Sequence, residues 1–138
     1  MTKKASPNSK SYITIPSAFL VGGIICVIGQ LLFTWYQSMG SDLSSSQTLV
    51  SITLIALSAI LTGLNIYDNI AKFGGAGSLV PITGFANAVV SPALEFKAEG
   101  LVLGLGAKMF IIAGPVIVYG TLASVLYGVI YYVITLMR

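Results

Sequence analysis

Long apolar runs alternate with short polar stretches along the chain. Three runs stand out, at residues 17–37, 48–67 and 101–137. At 1.5 Å per residue, a helix over each of the first two would reach about 30 Å, the thickness of the hydrocarbon core of a bilayer. The pattern therefore predicts membrane-spanning helices, the first of them opened by Pro16 in its first turn.

The third run is too long for one crossing. As a single helix it would measure about 55 Å, nearly twice the thickness of a bilayer core. Gly114 followed by Pro115 is the place where we expect it to break. The products would be a short segment, 101–113, and a full span, 115–137.

The second and third runs are separated by a helix-breaking segment, residues 73–90, that carries no charge. In a membrane, broken backbone is tolerated only where it is buried in protein or lines a wet cavity. We therefore expect a re-entrant element, serving either a transport path or close helix packing. Ser91 and Pro92 then predict the start of a short interfacial helix over 92–99. The residues expected to form the re-entrant break are Gly74, Gly75, Gly77, Pro81 and Gly84.

These elements predict an all-α polytopic membrane protein with three to four transmembrane helices and a broken, Gly/Pro-rich re-entrant segment. Three spans plus the re-entrant element are the first choice, and four spans with both termini inside are the alternative. We expect residues 1–15 to form a polar tail and residues 16–138 a single transmembrane domain. The lysines of the tail and Lys72 flank two spans whose connecting loop, 38–47, has no basic residue, which predicts a cytoplasmic N-terminus.

Composition supports the membrane assignment and excludes several functions. The chain is 56% hydrophobic and 8% charged, whereas soluble domains are about 25% charged. The net charge of +3 includes no basic cluster outside the N-terminal tail, so we expect no nucleic-acid partner. The chain has one cysteine, no histidine and no carboxylate cluster at metal-ligand spacing. We therefore expect neither metal, cofactor nor catalytic residues, and a protein that is not an enzyme.

Polar side chains follow one face of the second predicted helix. Lipid would not tolerate such a stripe, so the face must contact protein or water. Interhelical hydrogen bonds and a water-filled transport path remain alternative interpretations. Asn87, in the broken segment, is a further candidate for the same path. At 100° per residue, five side chains of the helix fall within about 60° of arc: Ser51, Ser58, Thr62, Asn65 and Asn69.

Small residues spaced four apart predict helix-packing seams on two other helices. Lys108 is the one charge deep in an apolar run. Ionisable residues at such positions are functional candidates, but a lysine can also extend its amine to the interface. Lys108 is therefore either a transport-path residue or a snorkelling side chain. The seam residues are Gly22 and Cys26 in the first helix and Gly120, Ser124 and Gly128 in the last.

Four stretches together resemble the AC family of stage V sporulation (SpoVA) membrane proteins. The likeness runs from about Phe19 to Gly120, and the order and spacing of four separate motifs make it specific. The sister AE family shares the first two elements, whereas the last two point to the AC type. The stretches are FLVGGIICVIGQLL, DNIAKFGGAGSLVPITGFANAV, EFKAEGLVLGLGAKMF and AGPVIVYG.

The resemblance implies a location in the inner membrane of the spore. It implies movement of dipicolinic acid, with calcium, into the forespore and out again at germination. It also implies partnership with the AE membrane protein and the soluble AD protein in a hetero-oligomer, and it is compatible with a homo-oligomer. Tension-sensitive channel behaviour is attributed to the AC type, and the resemblance offers no catalytic residues to carry over to this chain.

Two functional hypotheses follow. The chain is either a channel or transport subunit for dipicolinate, or a structural membrane anchor that recruits its partners without forming the pore. The polar stripe and the broken segment favour a channel, whereas the small-residue seams suit both. A lipid-modifying enzyme has the least support.

Overall fold

The computed structural model describes residues 10–137, and every regular element within them is helical. Three helical stretches are long and apolar enough to cross a membrane: Ser11–Ser38, Leu43–Gly63 and Leu101–Leu136. This confirms the prediction of an all-α polytopic membrane protein. The elements are α1 (Ser11–Ser38), α2 (Leu43–Gly63), α3 (Tyr67–Gly74), α4 (Ala76–Leu79), α5 (Ile82–Glu95), a 3₁₀ turn (Lys97–Glu99), a π-helical stretch (Leu101–Gly106) and α6 (Ala107–Leu136).

The chain forms two compact units, the first ending at Ser91 and the second beginning at Pro92. In the first unit, α1 packs against α2, α3 and α4. In the second unit, the 3₁₀ turn packs against the π-helical stretch, which leads directly into α6. The polar tail expected at residues 1–15 falls largely on residues 1–9, which lie outside the described residues, and residues 11–15 already belong to α1.

The two ends of α2 are fixed by local hydrogen bonds. Asp42 caps the N-terminus, where its Oδ2 accepts a hydrogen bond from the backbone N–H of Ser44 at 3.2 Å. At the other end, Asn65 adopts a left-handed conformation with φ 57°. The N–H of Asn65 then donates to the carbonyl of Thr62, and the N–H of Ile66 donates to the carbonyl of Leu61. These two bonds form a Schellman motif, which stops α2 and turns the chain into α3.

Three prolines expected to open or break helices lie inside them instead. Helix α1 begins five residues before Pro16, α5 continues through Pro92, and α6 continues through Pro115. The predicted start at Pro16, the separate helix over 92–99 and the break at Gly114–Pro115 are therefore wrong. A proline removes one backbone hydrogen bond from a helix. The neighbouring turns keep theirs, and in α1 and α6 a bilayer offers no water to replace them if the helix ends, so continuation is favoured.

The predicted break in residues 73–90 is confirmed between Gly74 and Pro81, but Gly84, which we expected to contribute to it, lies inside α5. A single glycine costs a helix only about 1 kcal/mol, and here the missing side chain lets the helix approach the Ser78 and Leu79 carbonyls. Helix α3 ends at Gly74, α4 has only four residues, and α5 begins after Pro81. Gly75, which joins α3 to α4, has φ 50° and ψ −124°, a backbone conformation that L side chains rarely adopt. Gly77 lies so close to the backbone of Ala18 in α1 that any Cβ would overlap its carbonyl group. Glycine thus allows the short α4 to pack directly on α1, while the re-entrant placement in a membrane stays a prediction.

Candidate functional site

A buried polar cluster joins α2, α3, α4 and α5. Two pairs of polar residues four apart, one on α2 and one on α5, face each other across the helix contact. A tyrosine at the start of α3 and a serine in α4 complete the group. We call these six residues the polar cluster: Ser58, Thr62, Tyr67, Ser78, Thr83 and Asn87.

Thr83 makes two hydrogen bonds within the polar cluster, one through its backbone carbonyl and one through its hydroxyl. The Ser58 hydroxyl donates to the Thr83 carbonyl oxygen at 2.5 Å. The Tyr67 hydroxyl oxygen lies 2.8 Å from the Ser78 carbonyl oxygen and 2.9 Å from Thr83 Oγ1. A phenol has one proton to donate and can also accept, so both contacts are satisfied when Tyr67 donates to the Ser78 carbonyl and accepts from the Thr83 hydroxyl. Four elements are thereby tied together at the first turn of α5.

A second contact, one turn further along, pairs Thr62 with Asn87. Thr62 Oγ1 lies 2.7 Å from the Ser58 carbonyl oxygen in its own helix and 2.7 Å from the side-chain carbonyl position of Asn87. One hydroxyl proton cannot serve two acceptors. A 180° flip of the carboxamide lets Asn87 donate an N–H to Thr62 while Thr62 donates to Ser58. In that arrangement, the Thr62 hydroxyl donates one hydrogen bond and accepts another, and the Thr62–Asn87 contact has a donor and an acceptor.

The polar cluster is closed to solvent. Its six residues are between 0% and 8% exposed. No buried side-chain nitrogen or oxygen among residues 10–137 lacks a hydrogen-bond partner. Buried polar groups that are fully satisfied fix a unique packing arrangement, because separating them would leave unpaired groups in a low-dielectric interior. The arrangement can therefore hold α5 against α2, and it supplies uncharged dipoles wherever those helices part.

The rest of the predicted stripe lies elsewhere. Ser51 is half-buried and its hydroxyl donates to the Gln47 carbonyl of the same helix at 3.0 Å. Asn65 and Asn69 are exposed, and Asn65 serves to end α2. The structure thus brings Ser58, Thr62 and Asn87 together and leaves the other three outside the polar cluster. Whether any of these predicted polar residues, inside or outside the polar cluster, lines a transport path stays a prediction.

Lys108 has an aromatic partner. Its Nζ lies 3.8 Å from the centroid of the Phe96 ring, within the second unit. A cation over an aromatic face is stabilised by the ring quadrupole, and the attraction grows where water is scarce. Lys108 is half-buried, at the first turn of α6. The contact gives the lysine a definite position at the start of a long apolar helix.

The predicted packing residues divide between the two units. Gly22 in α1 lies against the backbone of Gly77 in α4, so one predicted seam carries a close contact within the first unit. Cys26, one turn further on, is exposed. In α6, a Cβ added at Gly120 or Gly128 would have no described atom within 4 Å apart from its chain neighbours and the adjacent backbone of its own helix. The Ser124 hydroxyl donates to the Gly120 carbonyl of the same helix at 2.8 Å.

Sequence reasoning missed four residues that matter here: Tyr67, Ser78, Thr83 and Phe96. A signal for one of them was present, because Thr83 and Asn87 are four apart and share a helix face. That spacing carries meaning only if the residues after Pro81 are helical, which the glycines and the proline argued against. Tyr67 and Ser78 are joined by the fold alone, through the turns at Asn65 and Gly75.

Comparison with known proteins agrees with the membrane-protein character of the chain. A family model described as SpoVAC/SpoVAEB sporulation membrane protein matches residues 14–130, which include the whole polar cluster. The chain is 52% identical over 114 residues to stage V sporulation protein AC of Bacillus subtilis (strain 168), covering 82% of this chain and 76% of that protein. No solved structure is significantly similar. On these matches, the chain belongs to the SpoVAC/SpoVAEB family of sporulation membrane proteins.

Proposed function

We propose that this chain is a channel or transport subunit for dipicolinic acid, carried as the free dianion or as its calcium chelate. The cargo would enter the forespore during sporulation and leave during germination, across the spore inner membrane, with the N-terminus on the core side. The AE membrane protein and the soluble AD protein of stage V sporulation are the proposed partners. Membrane tension is the proposed stimulus for opening.

The observation that supports this proposal is the polar cluster itself. It places hydroxyl and carboxamide groups, and no charged side chain, in the contact between the span α2 and the helix α5 that follows the break. The 1:1 calcium dipicolinate chelate is neutral, so a path for it needs polar dipoles rather than a ring of charge. The backbone carbonyls of Gly75 and Ser78 accept hydrogen bonds within the chain in this structure and would become further acceptors if the helices part.

In this structure the polar cluster is closed, so opening requires α5 to separate from α2. Separation exposes the hydroxyls of Ser58, Thr62 and Thr83 and the amide of Asn87 to the widened space. Part of the free energy that opposes separation comes from two side-chain contacts between these helices, Ser58 with Thr83 and Thr62 with Asn87. Interhelical hydrogen bonds in membranes contribute about 0.6 kcal/mol on average and at most about 1.7.

The alternative is a structural membrane anchor that recruits the partner subunits without forming the pore. One observation favours it: the polar groups of the cluster are satisfied within the chain. A cluster that only fastens helices together has this property. The two functions differ in the expected effect of a substitution that weakens the polar cluster. In a channel subunit the substitution changes dipicolinate flux, whereas in a structural anchor it changes only the stability of the protein.

The test is dipicolinate flux from liposomes that hold the purified chain, alone and with the AE and AD proteins. Released dipicolinate is measured as its luminescent terbium complex, before and after a drop in external osmolarity that raises membrane tension. The proposal expects tension-dependent release from the chain alone or from the assembled complex. Liposomes with the partners but without this chain provide the baseline. Release that never depends on this chain would contradict the channel proposal and leave the anchor.

Two threonines of α2 provide a matched pair of variants. Thr62→Val removes a hydroxyl from the polar cluster and leaves Asn87 without its partner. Thr48→Val removes a hydroxyl that is exposed and bonded only to the Ser44 carbonyl within the same helix. If the cluster holds a gate closed, Thr62→Val should raise tension-free release about two- to fivefold, since about 0.5–1 kcal/mol is lost. Equal release from both variants would argue for the anchor.

A further inference from the structure

An apolar cavity of about 230 Å³ lies inside the first unit, beside the polar cluster. Most of its wall comes from aliphatic side chains of the two spans α1 and α2. The main contributors are Ile24, Ile25 and Ile28 from α1 and Leu54, Leu57 and Leu61 from α2. Ser58, Tyr67 and Thr83 of the polar cluster form the rest of the wall together with Val21 and Ile70.

Water is a poor occupant of this cavity. A buried water needs two to four hydrogen bonds to protein groups. The only polar side chains on the wall are Ser58, Tyr67 and Thr83, and each already bonds to another group of the polar cluster. Apolar cavities of about 150 Å³ stay dry and take up small apolar molecules. A larger cavity with the same kind of wall will do so as well.

The position of the cavity along the spans identifies the available apolar molecule. Ile24 and Ile25 lie halfway along α1, and Leu54 lies halfway along α2. When these helices span a bilayer, the cavity therefore lies at the depth of the hydrocarbon core. Several wall residues remain partly exposed, Ile24 at 52% and Leu57 at 44%, so the cavity opens towards that medium. Hydrocarbon chains surround the opening at this depth.

We propose that the cavity is a binding site for the acyl chain of a membrane lipid. The chain end enters between α1 and α2 and packs against Tyr67 and Thr83. A bound acyl chain stabilises the polar cluster, because it fills the space into which the Tyr67 side chain would otherwise be able to move. The site follows from the cavity and its surroundings alone and does not rest on the identity of any transported cargo.

The test uses a phospholipid whose acyl chain carries a photoactivatable diazirine near its end. The purified chain is reconstituted in liposomes containing this lipid, irradiated, and mapped by mass spectrometry. Tyr67 is 3% exposed and Ser58 is 1% exposed, so bulk lipid cannot reach them, whereas Ile52 and Ile60 face outward at 57% and 60%. The proposal expects adducts on Tyr67 or Ser58 in addition to those on Ile52 and Ile60.

Cavity-filling variants make the test decisive. Leu54→Phe and Ile25→Phe enlarge a half-buried wall residue from either span, and Ile52→Phe adds the same bulk on the outer face of α2. Both filling variants should reduce the Tyr67 and Ser58 adducts at least fivefold and leave the Ile60 adduct unchanged, whereas Ile52→Phe should reduce neither. Circular dichroism before irradiation checks that each variant is folded. Absence of cavity adducts in the wild type would overturn the proposal, and so would their persistence in both folded filling variants.

Discussion

Replacing Tyr67 by phenylalanine tests the polar cluster most directly. The substitution keeps the aromatic ring and removes only the hydroxyl, which contacts the Ser78 carbonyl at 2.8 Å and Thr83 Oγ1 at 2.9 Å. Tyr67 is 3% exposed, so water cannot take the place of the lost group. The variant therefore leaves one carbonyl and one hydroxyl in the interior with a partner missing.

The expected loss of stability follows from these two contacts. A buried hydrogen bond contributes about 0.5–1.5 kcal/mol net, so removing two gives a loss of about 1–3 kcal/mol. Measured couplings between helices in membranes average about 0.6 kcal/mol per bond, which favours the lower half of this range. We therefore expect Tyr67→Phe to lower the free energy of unfolding by about 1–2 kcal/mol.

The assay is reversible unfolding in mixed micelles, with increasing sodium dodecyl sulfate as denaturant and helicity as the signal. Tyr119→Phe is the matched control, because Tyr119 is 73% exposed on α6 and its hydroxyl makes no side-chain hydrogen bond among the described residues. The control should change the free energy of unfolding by less than about 0.5 kcal/mol. A double-mutant cycle with Thr83→Val then isolates the Tyr67–Thr83 contact.

Two results would refute this reasoning. If Tyr67→Phe unfolds at the same denaturant concentration as the wild type, the hydroxyl is not held as the structure describes. If the losses of Tyr67→Phe and Thr83→Val add without coupling, the two residues do not interact, and the link between α3 and α5 must lie elsewhere.

Three further predictions concern separate parts of the chain. Gly77→Val should destabilise the fold by about 1–3 kcal/mol or prevent stable expression, measured by immunoblot of the membrane fraction, because the added side chain overlaps the backbone of Ala18. Gly120→Val is the control and should express like the wild type, because a Cβ at that position meets no described atom within 4 Å outside its own helix backbone and chain neighbours. Lys108→Met should insert normally, because it removes a charge from an apolar run, and should slow dipicolinate release in the liposome assay; normal release at equal protein level would remove Lys108 from the transport path. Hydrogen bonds from Ser45 are the main reason that the pKa of Asp42 lies below its ordinary 3.8, so the Asp42 cap stabilises α2 fully above pH 3.8 and loses this effect as the pH falls through the lowered pKa. Between pH 5 and pH 2, helicity should therefore fall less steeply in Asp42→Asn than in the wild type, and identical pH profiles would contradict the cap.

The sequence alone determined the class of the protein and the place of its break. Apolar runs about 20 residues long can satisfy their backbone hydrogen bonds in a bilayer only as helices, so the spans α1 and α2 follow from hydropathy and length. The positive φ of Gly75 interrupts the backbone hydrogen bonds locally, so the end of α3 needs no distant partner. The shared face of Ser58 and Thr62 could also be located, because the helix period is fixed, but Asn65 and Asn69 of the predicted stripe lie beyond the end of α2.

Only the tertiary structure decided what those faces contact. Ser58 and Thr62 are buried because α5 returns beside α2, and that return depends on the turns at Asn65 and Gly75. Each turn is local, but the angle it gives the chain is not readable from residue types. Tyr67 joins the polar cluster for the same reason.

The prolines and Lys108 illustrate the same limit. A proline at position 115 removes one hydrogen bond whether or not the helix continues, and the balance is set by what surrounds it. Lys108 needed a partner, and the sequence offered no acid within one turn of it. The partner is the ring of Phe96, twelve residues earlier, which reaches the lysine because the 3₁₀ turn and the π-helical stretch fold back on each other. Residue types determined which side chains required a contact, and the path of the backbone determined which contact each one found.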